Sequence, residues 1–259
     1  MDAADRLPVY FISDLHLGAS YIHDPKAHER RAARFVESLV GRASELVMLG
    51  DVLDYWYEYR EVVPRGYLRF FGALARLADS GVKITWFIGN HDIWLFDYLR
   101  DEIGIEVVDG VRVRDILGKR FLLTHGDGVG RLKPSFRLIR SIFRNRLCQV
   151  LYSAIHPRWT VAFAHRWSAS SRDFEGYAPK RFDPSDEPFV SYCLEYLATT
   201  DPAIDYFVFG HRHTLVDYPL PGTGSHMVIL GDWITRFSYG IFDGREFRLD
   251  IFSDNSGQN

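Results

Sequence analysis

The stretch YFISDLHLG, residues 10–18, begins as a buried β-strand and ends with groups that a strand rarely needs. An apolar run at positions 10–12 leads directly to Asp14 and His16. Because alternate residues of an extended backbone point the same way, this carboxylate and this imidazole share one side. The pair predicts a binding or catalytic site at the carboxyl end of the first strand.

Four later apolar runs end in the same way, each with a Gly beside the polar residue. They are LVMLGDVLD, ITWFIGNHD, FLLTHGD and YFVFGHRHT, ending at residues 54, 92, 127 and 214. In open α/β sheets, ligands bind at the carboxyl ends of the strands, and Gly lets backbone and ligand approach closely. A lone His at a strand end is usually a surface residue, and a lone Gly-Asp is usually a turn. Five such strand ends in one chain indicate a single shared site.

The residue types at these ends are typical of a metal site. Asp, Asn and His without Cys suit hard or borderline divalent ions such as Mn²⁺, Mg²⁺, Fe²⁺ or Zn²⁺. Seven side chains are candidate ligands: Asp14, His16, Asp51, Asn90, His125, His211 and His213. Seven exceed the needs of one catalytic ion with an open position, so we predict two ions that share one carboxylate. Asp51 stands alone at its strand end and is the natural bridge. Two metal ions bridged in this way attract phosphate.

The order of apolar runs and helical patterns predicts an α/β protein. Strand candidates are Val9–Ser13, Leu46–Leu49, Lys83–Ile88, Phe121–Thr124, Tyr206–Phe209, Met227–Leu230, Tyr239–Phe242 and Glu246–Phe252. Helical patterns cover Pro25–Val40, Tyr67–Asp79 and Trp94–Glu102. Strands that alternate with helices indicate parallel strands with crossover helices. The region 131–199 breaks this rhythm, and we predict a helical cap insertion there, over a core formed by residues 1–130 and 200–259.

Composition bounds the class of protein. The 259 residues are 47% apolar and 25% charged, as in ordinary globular proteins. Cys148 and Cys193 are the only cysteines, so a reducing compartment is the simpler interpretation. The sequence shows neither a signal-peptide pattern nor an uninterrupted run of eighteen apolar residues. We therefore expect a cytoplasmic protein that could still contact a membrane surface.

The net charge of −3 conceals a basic block. Residues 131–172 contain nine Lys or Arg and no Asp or Glu, so the rest of the chain carries −12. The same block includes Phe143, Phe163 and an apolar stripe with Leu138 and Ile142. Such a stripe is more often packing than a ligand groove. Combined with this charge, it suits a lipid with a phosphate head, an anionic membrane, or single-stranded nucleic acid.

The motifs at the five strand ends resemble the signature of the calcineurin-like metallophosphoesterases. In chain order they are D-x-H, G-D-x-x-D, G-N-H-D, H-G-D and G-H-x-H. The resemblance implies a four-layer α/β/β/α sandwich. It also implies that Asp14, His16, Asp51 and His213 hold one metal ion. The second ion would be held by Asp51, Asn90, His125 and His211. His91 would then assist catalysis at the leaving oxygen, and Asp92 would orient His91.

The insertion, the segment GDVLDYW and the segment VILGDW are similar to a narrower family, the UDP-2,3-diacylglucosamine pyrophosphatases of lipid A biosynthesis. This resemblance implies hydrolysis of the lipid-linked nucleotide to UMP and 2,3-diacylglucosamine 1-phosphate, usually with Mn²⁺, on the cytoplasmic face of the inner membrane. It implies substrate contacts from Asp127, Phe143, Arg166, Ser171 and Arg172. The chain differs from the best-known members in having His91 where they have Arg.

Two other functions remain open at this point. The first is a different phosphoesterase, such as a phosphodiesterase or nuclease, although a nuclease needs less aliphatic surface than the insertion offers. The second is a non-catalytic scaffold, which would be expected to have lost some of the seven ligands. For the leading hypothesis we expect the inner-membrane surface as a partner, with neither a nucleic-acid partner nor an obligate protein partner.

Overall fold

A computed structural model describes residues 7–130, 134–160 and 182–254. In chain order the elements are β1 (Val9–Ile12), α1 (Pro25–Ser38), β2 (Glu45–Leu49), α2 (Leu68–Asp79), β3 (Lys83–Phe87), α3 (Tyr98–Ile103), β4 (Glu106–Val108), β5 (Arg112–Ile116), β6 (Lys119–Thr124), α4 (Pro134–Arg144), α5 (Arg146–Ser153), α6 (Pro188–Thr199), β7 (Tyr206–Phe209), β8 (Leu215–Pro219), β9 (His226–Leu230), β10 (Ser238–Phe242) and β11 (Phe247–Ile251).

The strands form two sheets. One has the order β11-β10-β1-β2-β3-β4 and the other has the order β5-β6-β7-β9-β8. Strands β1 to β4 run parallel to one another, as do β6, β7 and β9. The carboxyl ends of β1, β2 and β3 therefore lie along one edge of the first sheet, and those of β6 and β7 share an edge of the second.

Successive side chains of a strand point to opposite faces of its sheet, and the buried apolar side chains form three cores. One face of each sheet meets the other sheet, where Phe11 and Val47 pack with Phe121 and Val208. The outer face of the first sheet packs against α1 and α2, and the outer face of the second packs against α6. The predicted four-layer α/β/β/α sandwich is confirmed.

The sequence analysis did not predict three of the strands. They are β4, β5 and β8, which are half-exposed and lie at or next to sheet edges. In β5, three of the five residues are Arg or Asp, so the apolar signal is weak. Pairing with the buried strand β6 decides its conformation more than its own sequence does.

The segment between β6 and β7 contains α4, α5 and α6. The α4–α5 hairpin, residues 134–153, has no fully buried side chain. In contrast, α6 packs on the second sheet through Phe189 and Cys193. The division of the chain at 131–199 stays a prediction, and this packing favours an insertion that ends before α6. Among the described helices, none is long and apolar enough to cross a bilayer.

Candidate metal centre

The strand-end side chains meet because the backbone continues the sheet beyond the last strand residue. Asp14 N–H donates to Gly50 O at 3.0 Å, and His16 N–H donates to Asp51 O at 2.9 Å. From the second sheet, His211 N–H donates to Asp14 Oδ2 at 2.9 Å. Both sheets thus contribute to one site at their shared edge.

Many candidate ligands have strained backbone. Eight described non-glycine residues have positive φ, and five of them are Asp14, His16, Asp51, His211 and His213. This left-handed region costs on the order of 1–3 kcal/mol for such residues, and it persists only where the surrounding structure enforces it. Here it turns each side chain sharply away from its strand toward the common edge.

Glycines allow the strand ends to approach. Gly50 has φ +83°, and a Cβ on it would lie 2.6 Å from His125 Nδ1. A Cβ on Gly89 would lie 2.2 Å from Asp51 Oδ1. The glycines of the G-D and G-N motifs are therefore required by close packing around Asp51 and His125.

The structure brings the predicted ligands into overlapping groups. The ligand atoms lie within 4.8 Å of one another in each of the sets Asp14–His16–His213, His16–Asp51–His91 and Asp51–His125–His211. Asp51 Oδ2 lies 3.8 Å from His16 Nε2 and 3.3 Å from His125 Nε2. Asp51 thus faces both sides of the cluster, as a bridging carboxylate must.

Hydrogen bonds orient His125 as a ligand. Its Nδ1 lies 2.7 Å from the carbonyl of Leu49, to which it can only donate. Its Nε2 is the nitrogen left to face a metal ion, and it lies 3.2 Å from Asn90 Oδ1. Metal-binding histidines usually have this second-nitrogen bond to a carbonyl, which fixes ring and tautomer. Asn90 therefore joins the group through His125.

The electrostatics of the cluster also fit divalent cations. Burial raises the pKa of Asp14 to about 7. Despite its burial, His125 has its pKa raised to about 10 by Asp51, and burial lowers the pKa of His211 to about 4. Buried carboxylates facing imidazoles are a donor set that a divalent cation would neutralise, and metal binding favours their deprotonated forms. The residues present therefore fit the implied ions.

His91 lies at the rim of the cluster and contacts Asp54. Its Nδ1 is 3.1 Å from Asp54 O and 3.4 Å from Asp54 Oδ1. Although burial opposes protonation, Asp51 and Asp54 raise the pKa of His91 to about 9. Asp54 is itself almost fully buried and also lies 3.5 Å from His16 Nδ1.

The predicted role of Asp92 in orienting His91 stays a prediction, and its hydrogen bonds go to groups other than the His91 ring. Asp92 accepts hydrogen bonds from the backbone N–H groups of Val52 and Gly89, at 2.9 and 2.7 Å, and from Trp86 Nε1 at 3.0 Å. It fastens the loop after β3 to the loop after β2. The carboxylate that contacts the His91 ring is that of Asp54. Asp54 is the second Asp of the G-D-x-x-D motif, but the sequence does not indicate which way its side chain points.

The predicted substrate contacts are only partly within the described chain. Asp127 accepts a hydrogen bond from Arg140 Nε at 2.8 Å, which ties α4 to the end of β6. Phe143 packs on Trp94, with ring centroids 5.6 Å apart, and its carbonyl accepts from Trp94 Nε1. Phe163, Arg166, Ser171 and Arg172 lie outside the described residues. The role of Asp127 and Phe143 in substrate binding stays a prediction.

The chain is similar in sequence to known proteins. A model of the calcineurin-like phosphoesterase family matches residues 7–215. The chain is 42% identical, over 96% of its length and 99% of the relative, to a UDP-2,3-diacylglucosamine hydrolase of Porphyromonas gingivalis. It is 26% identical, with 88% of each chain covered, to an enzyme of the same name from Nitrosococcus oceani. A solved structure described as a novel archaeal phosphodiesterase covers 95% of this chain and 100% of its own, with a TM-score of 0.48 and 14% identity.

Proposed function

The chain belongs to the calcineurin-like phosphoesterase family, and from this premise we propose that it hydrolyses the diphosphate of UDP-2,3-diacylglucosamine. The products would be UMP and 2,3-diacylglucosamine 1-phosphate. Two relatives named UDP-2,3-diacylglucosamine hydrolase, which match most of the chain, support the substrate.

The metal ligands are proposed as follows. Asp14, His16 and His213 would hold one ion, and Asn90, His125 and His211 would hold a second, with Asp51 shared between them. Mn²⁺ is the proposed metal, because the donors are oxygen and imidazole nitrogen. Bound ions would activate a water molecule and neutralise the charge of the phosphate oxygens.

His91 is the proposed acid for the leaving oxygen. Because its Nδ1 faces the carbonyl and carboxylate of Asp54, its Nε2 is the atom free to approach a substrate. Contact with the Asp54 carboxylate favours the protonated ring that such an acid needs. Asp54 would hold the ring in place and stabilise its charge, as carboxylates do for catalytic imidazoles.

The lipid part of the proposal rests on the outer surface of the α4–α5 hairpin and of the residues after it. Seven large apolar side chains are exposed there: Leu138, Ile142, Leu147, Val150, Leu151, Ile155 and Trp159. Leu147 is 67% exposed and Leu151 is 62% exposed. The opposite side of the hairpin carries Arg140 and Phe143 toward the metal centre. Cations inward and aliphatic groups outward suit a substrate with a phosphate head and acyl chains, bound at a membrane surface.

The proposed setting is the cytoplasmic face of the inner membrane, with the protein attached peripherally. A nuclease or general phosphodiesterase would use the same metal centre but would have no use for the exposed aliphatic surface. The two functions are therefore separable by experiment.

The test compares two substrates on one protein. With Mn²⁺, wild-type protein should hydrolyse UDP-2,3-diacylglucosamine in detergent far faster than a small chromogenic phosphodiester, and chelation should abolish both activities. Ile142→Asp or Leu147→Asp should raise KM for the diacyl substrate and leave the small diester unaffected. Val111→Asp is the matched control, because Val111 is 47% exposed in a turn of the core. Equal losses on both substrates, or a preference for the small diester, would reject the lipid substrate.

A further inference from the structure

A second cationic and apolar surface lies on the helical layer beside the first sheet. A groove of about 330 Å³ runs between α1 and α2. A cleft of about 720 Å³ adjoins it under the loop that precedes α2. Leu68, the first residue of α2, lines both. We call the two together the α1–α2 surface.

The charge of this surface is strongly one-sided. Its cationic lining residues are Lys26, Arg30, Arg34, Arg65, Arg69 and Arg76. Glu37 is the one acidic residue that lines it in the described chain. Some of these cations have partners, such as Arg34 with Asp254 and Arg76 with Glu37 at 3.7 Å. Lys26 is also paired, with Glu29 at 3.0 Å, so three of the six cations have an acidic partner, and no ion pair within 4.0 Å is found for the other three among the described residues.

Large apolar side chains stand beside these cations. Leu68 is 82% exposed and Val62 is 54% exposed. The adjoining cleft is lined by Phe71, Tyr98 and the buried Trp56, whose ring lies 6.3 Å from that of Tyr98. The surface therefore offers apolar side chains that can enter hydrocarbon next to guanidinium groups that can bind phosphate.

The α1–α2 surface is joined to the α4–α5 hairpin through the loop before α2. Tyr57 OH donates to Gln149 O of α5 at 2.6 Å, and the rings of Tyr57 and Tyr152 lie 5.1 Å apart. Two residues further along the loop, Tyr59 N–H donates to Val62 O at 3.1 Å. The same loop thus contacts the hairpin through Tyr57, presents Val62, and leads to Leu68 at the start of α2.

We propose that the α1–α2 surface is a membrane-docking site that binds the phosphate headgroups of an anionic phospholipid bilayer and inserts Val62 and Leu68 at the interface. The proposal rests on the proposed function only in that a lipid substrate brings the protein to a bilayer. Nucleic-acid phosphates would engage the arginines but would leave Leu68 and Val62 without a role, and an acidic protein would need a larger apolar patch. The bilayer alone uses both chemistries at once.

The experiment measures binding of the full chain to vesicles by co-sedimentation. The vesicles contain either phosphatidylcholine alone or equal parts of phosphatidylcholine and phosphatidylglycerol. Wild-type protein should prefer the anionic vesicles, and added salt should weaken binding because exposed charges are screened. Arg30→Gln together with Arg69→Gln should weaken binding about twentyfold to thirtyfold, since each cation near an anionic bilayer contributes about fivefold.

A second variant isolates the apolar part. Leu68→Glu should weaken vesicle binding roughly tenfold or more, because it removes an inserted side chain and adds a repelled charge. It should fold normally, since Leu68 is exposed at the first turn of α2, where an acidic residue is favourable. Arg245→Gln and Val111→Glu are matched controls on exposed turns of the core and should bind as wild type does.

Activity on detergent-dispersed substrate separates this proposal from the proposed function. The variants of the α1–α2 surface should retain wild-type turnover in detergent and lose turnover on substrate embedded in anionic vesicles. Vesicle binding that equals wild type in these variants, or falls equally in the controls, would overturn the docking site. Binding of anionic vesicles by a wild-type protein that fails to hydrolyse the lipid would support docking and reject the proposed function.

Discussion

At the scale of single residues, the three aspartates of the metal centre differ in the groups that they contact. Asp51 faces His16 on one side and His125 on the other, and its Oδ1 accepts from His91 N–H at 2.8 Å. Asp54 contacts His16 and His91, while Asp92 holds backbone. Three aspartates within one small region therefore make three different sets of contacts, whose roles substitution can separate.

Asp51→Asn should remove the bridge. A neutral amide binds two cations poorly, so we expect activity to fall roughly 10³-fold, about 4 kcal/mol of barrier. Metal analysis of the purified variant should find fewer than two ions per chain. Near-normal activity with two bound ions would show that Asp51 does not bridge.

Asp54→Asn should lower kcat while metal content stays at two. The amide keeps the size of the side chain but weakens the contact that holds and charges His91, so we expect a loss of roughly 10- to 100-fold. His91→Ala should lower kcat at least as much and also keep both ions. Loss of an ion in either variant would make His91 or Asp54 a metal ligand, which the His16–Asp51–His91 group makes a real alternative.

Asp92→Asn is the control for these two variants. Three of the donors that Asp92 accepts from are the backbone N–H groups of Asp51, Val52 and Gly89. The amide would place an NH₂ against one or more of them. We expect a lower free energy of unfolding, by about 2–3 kcal/mol, measured by denaturant titration.

At the scale of elements, the site depends on how closely neighbouring strand ends approach. Gly89→Ala changes no candidate ligand, yet its Cβ would overlap Asp51 Oδ1. We expect at least a 100-fold loss of activity and weaker metal retention. Gly72→Ala is the matched control, because nothing lies within 4 Å of its added Cβ in α2. That control should be active and stabilised by about 0.5–1 kcal/mol.

The sequence predicted the buried strands, and the three strands it missed are half-exposed. Strand β7 and residues 46–49 of β2 are uninterrupted apolar runs whose burial leaves a clear signal. Strand β8 is half-exposed and follows directly after the G-H-x-H ligands, so its pattern is masked by functional residues. Helix α6, which the predicted insertion includes, packs on the second sheet, and sequence order alone cannot show which sheet a helix covers.

The clustering of the candidate ligands was predictable for a related reason. Polar residues directly after buried strands conflict with the local pattern, and such conflicts mark functional sites. The partner of His91 was not predictable, because Asp54 and Asp92 are both short acidic residues beside a motif. Their separation depends on loop geometry: Asp92 turns inward to Trp86, while Asp54 turns toward His16 and His91.

At the scale of the whole molecule, metal binding should stabilise the fold. The ligands come from both sheets, so ions that bind the native state alone raise its stability by about 2.7 kcal/mol at a hundredfold excess over Kd. For a domain of this size we expect the Tm to rise by roughly 5–10 °C with Mn²⁺ relative to chelator, measured by calorimetry. Asp51→Asn should reduce the shift. An equal Tm with and without metal would contradict ligation from both sheets.

The position of β1 has a consequence for how the protein is made. Val9 of β1 pairs with Phe242 of β10, and β1 pairs with β2 on its other side. During translation, β1 and β2 leave the ribosome long before β10 exists, so one edge of β1 must wait without its partner. Unpaired strand edges attract other chains. Nascent chains should therefore depend on chaperones until β10 has emerged, and truncation before β10 should send the product into inclusion bodies.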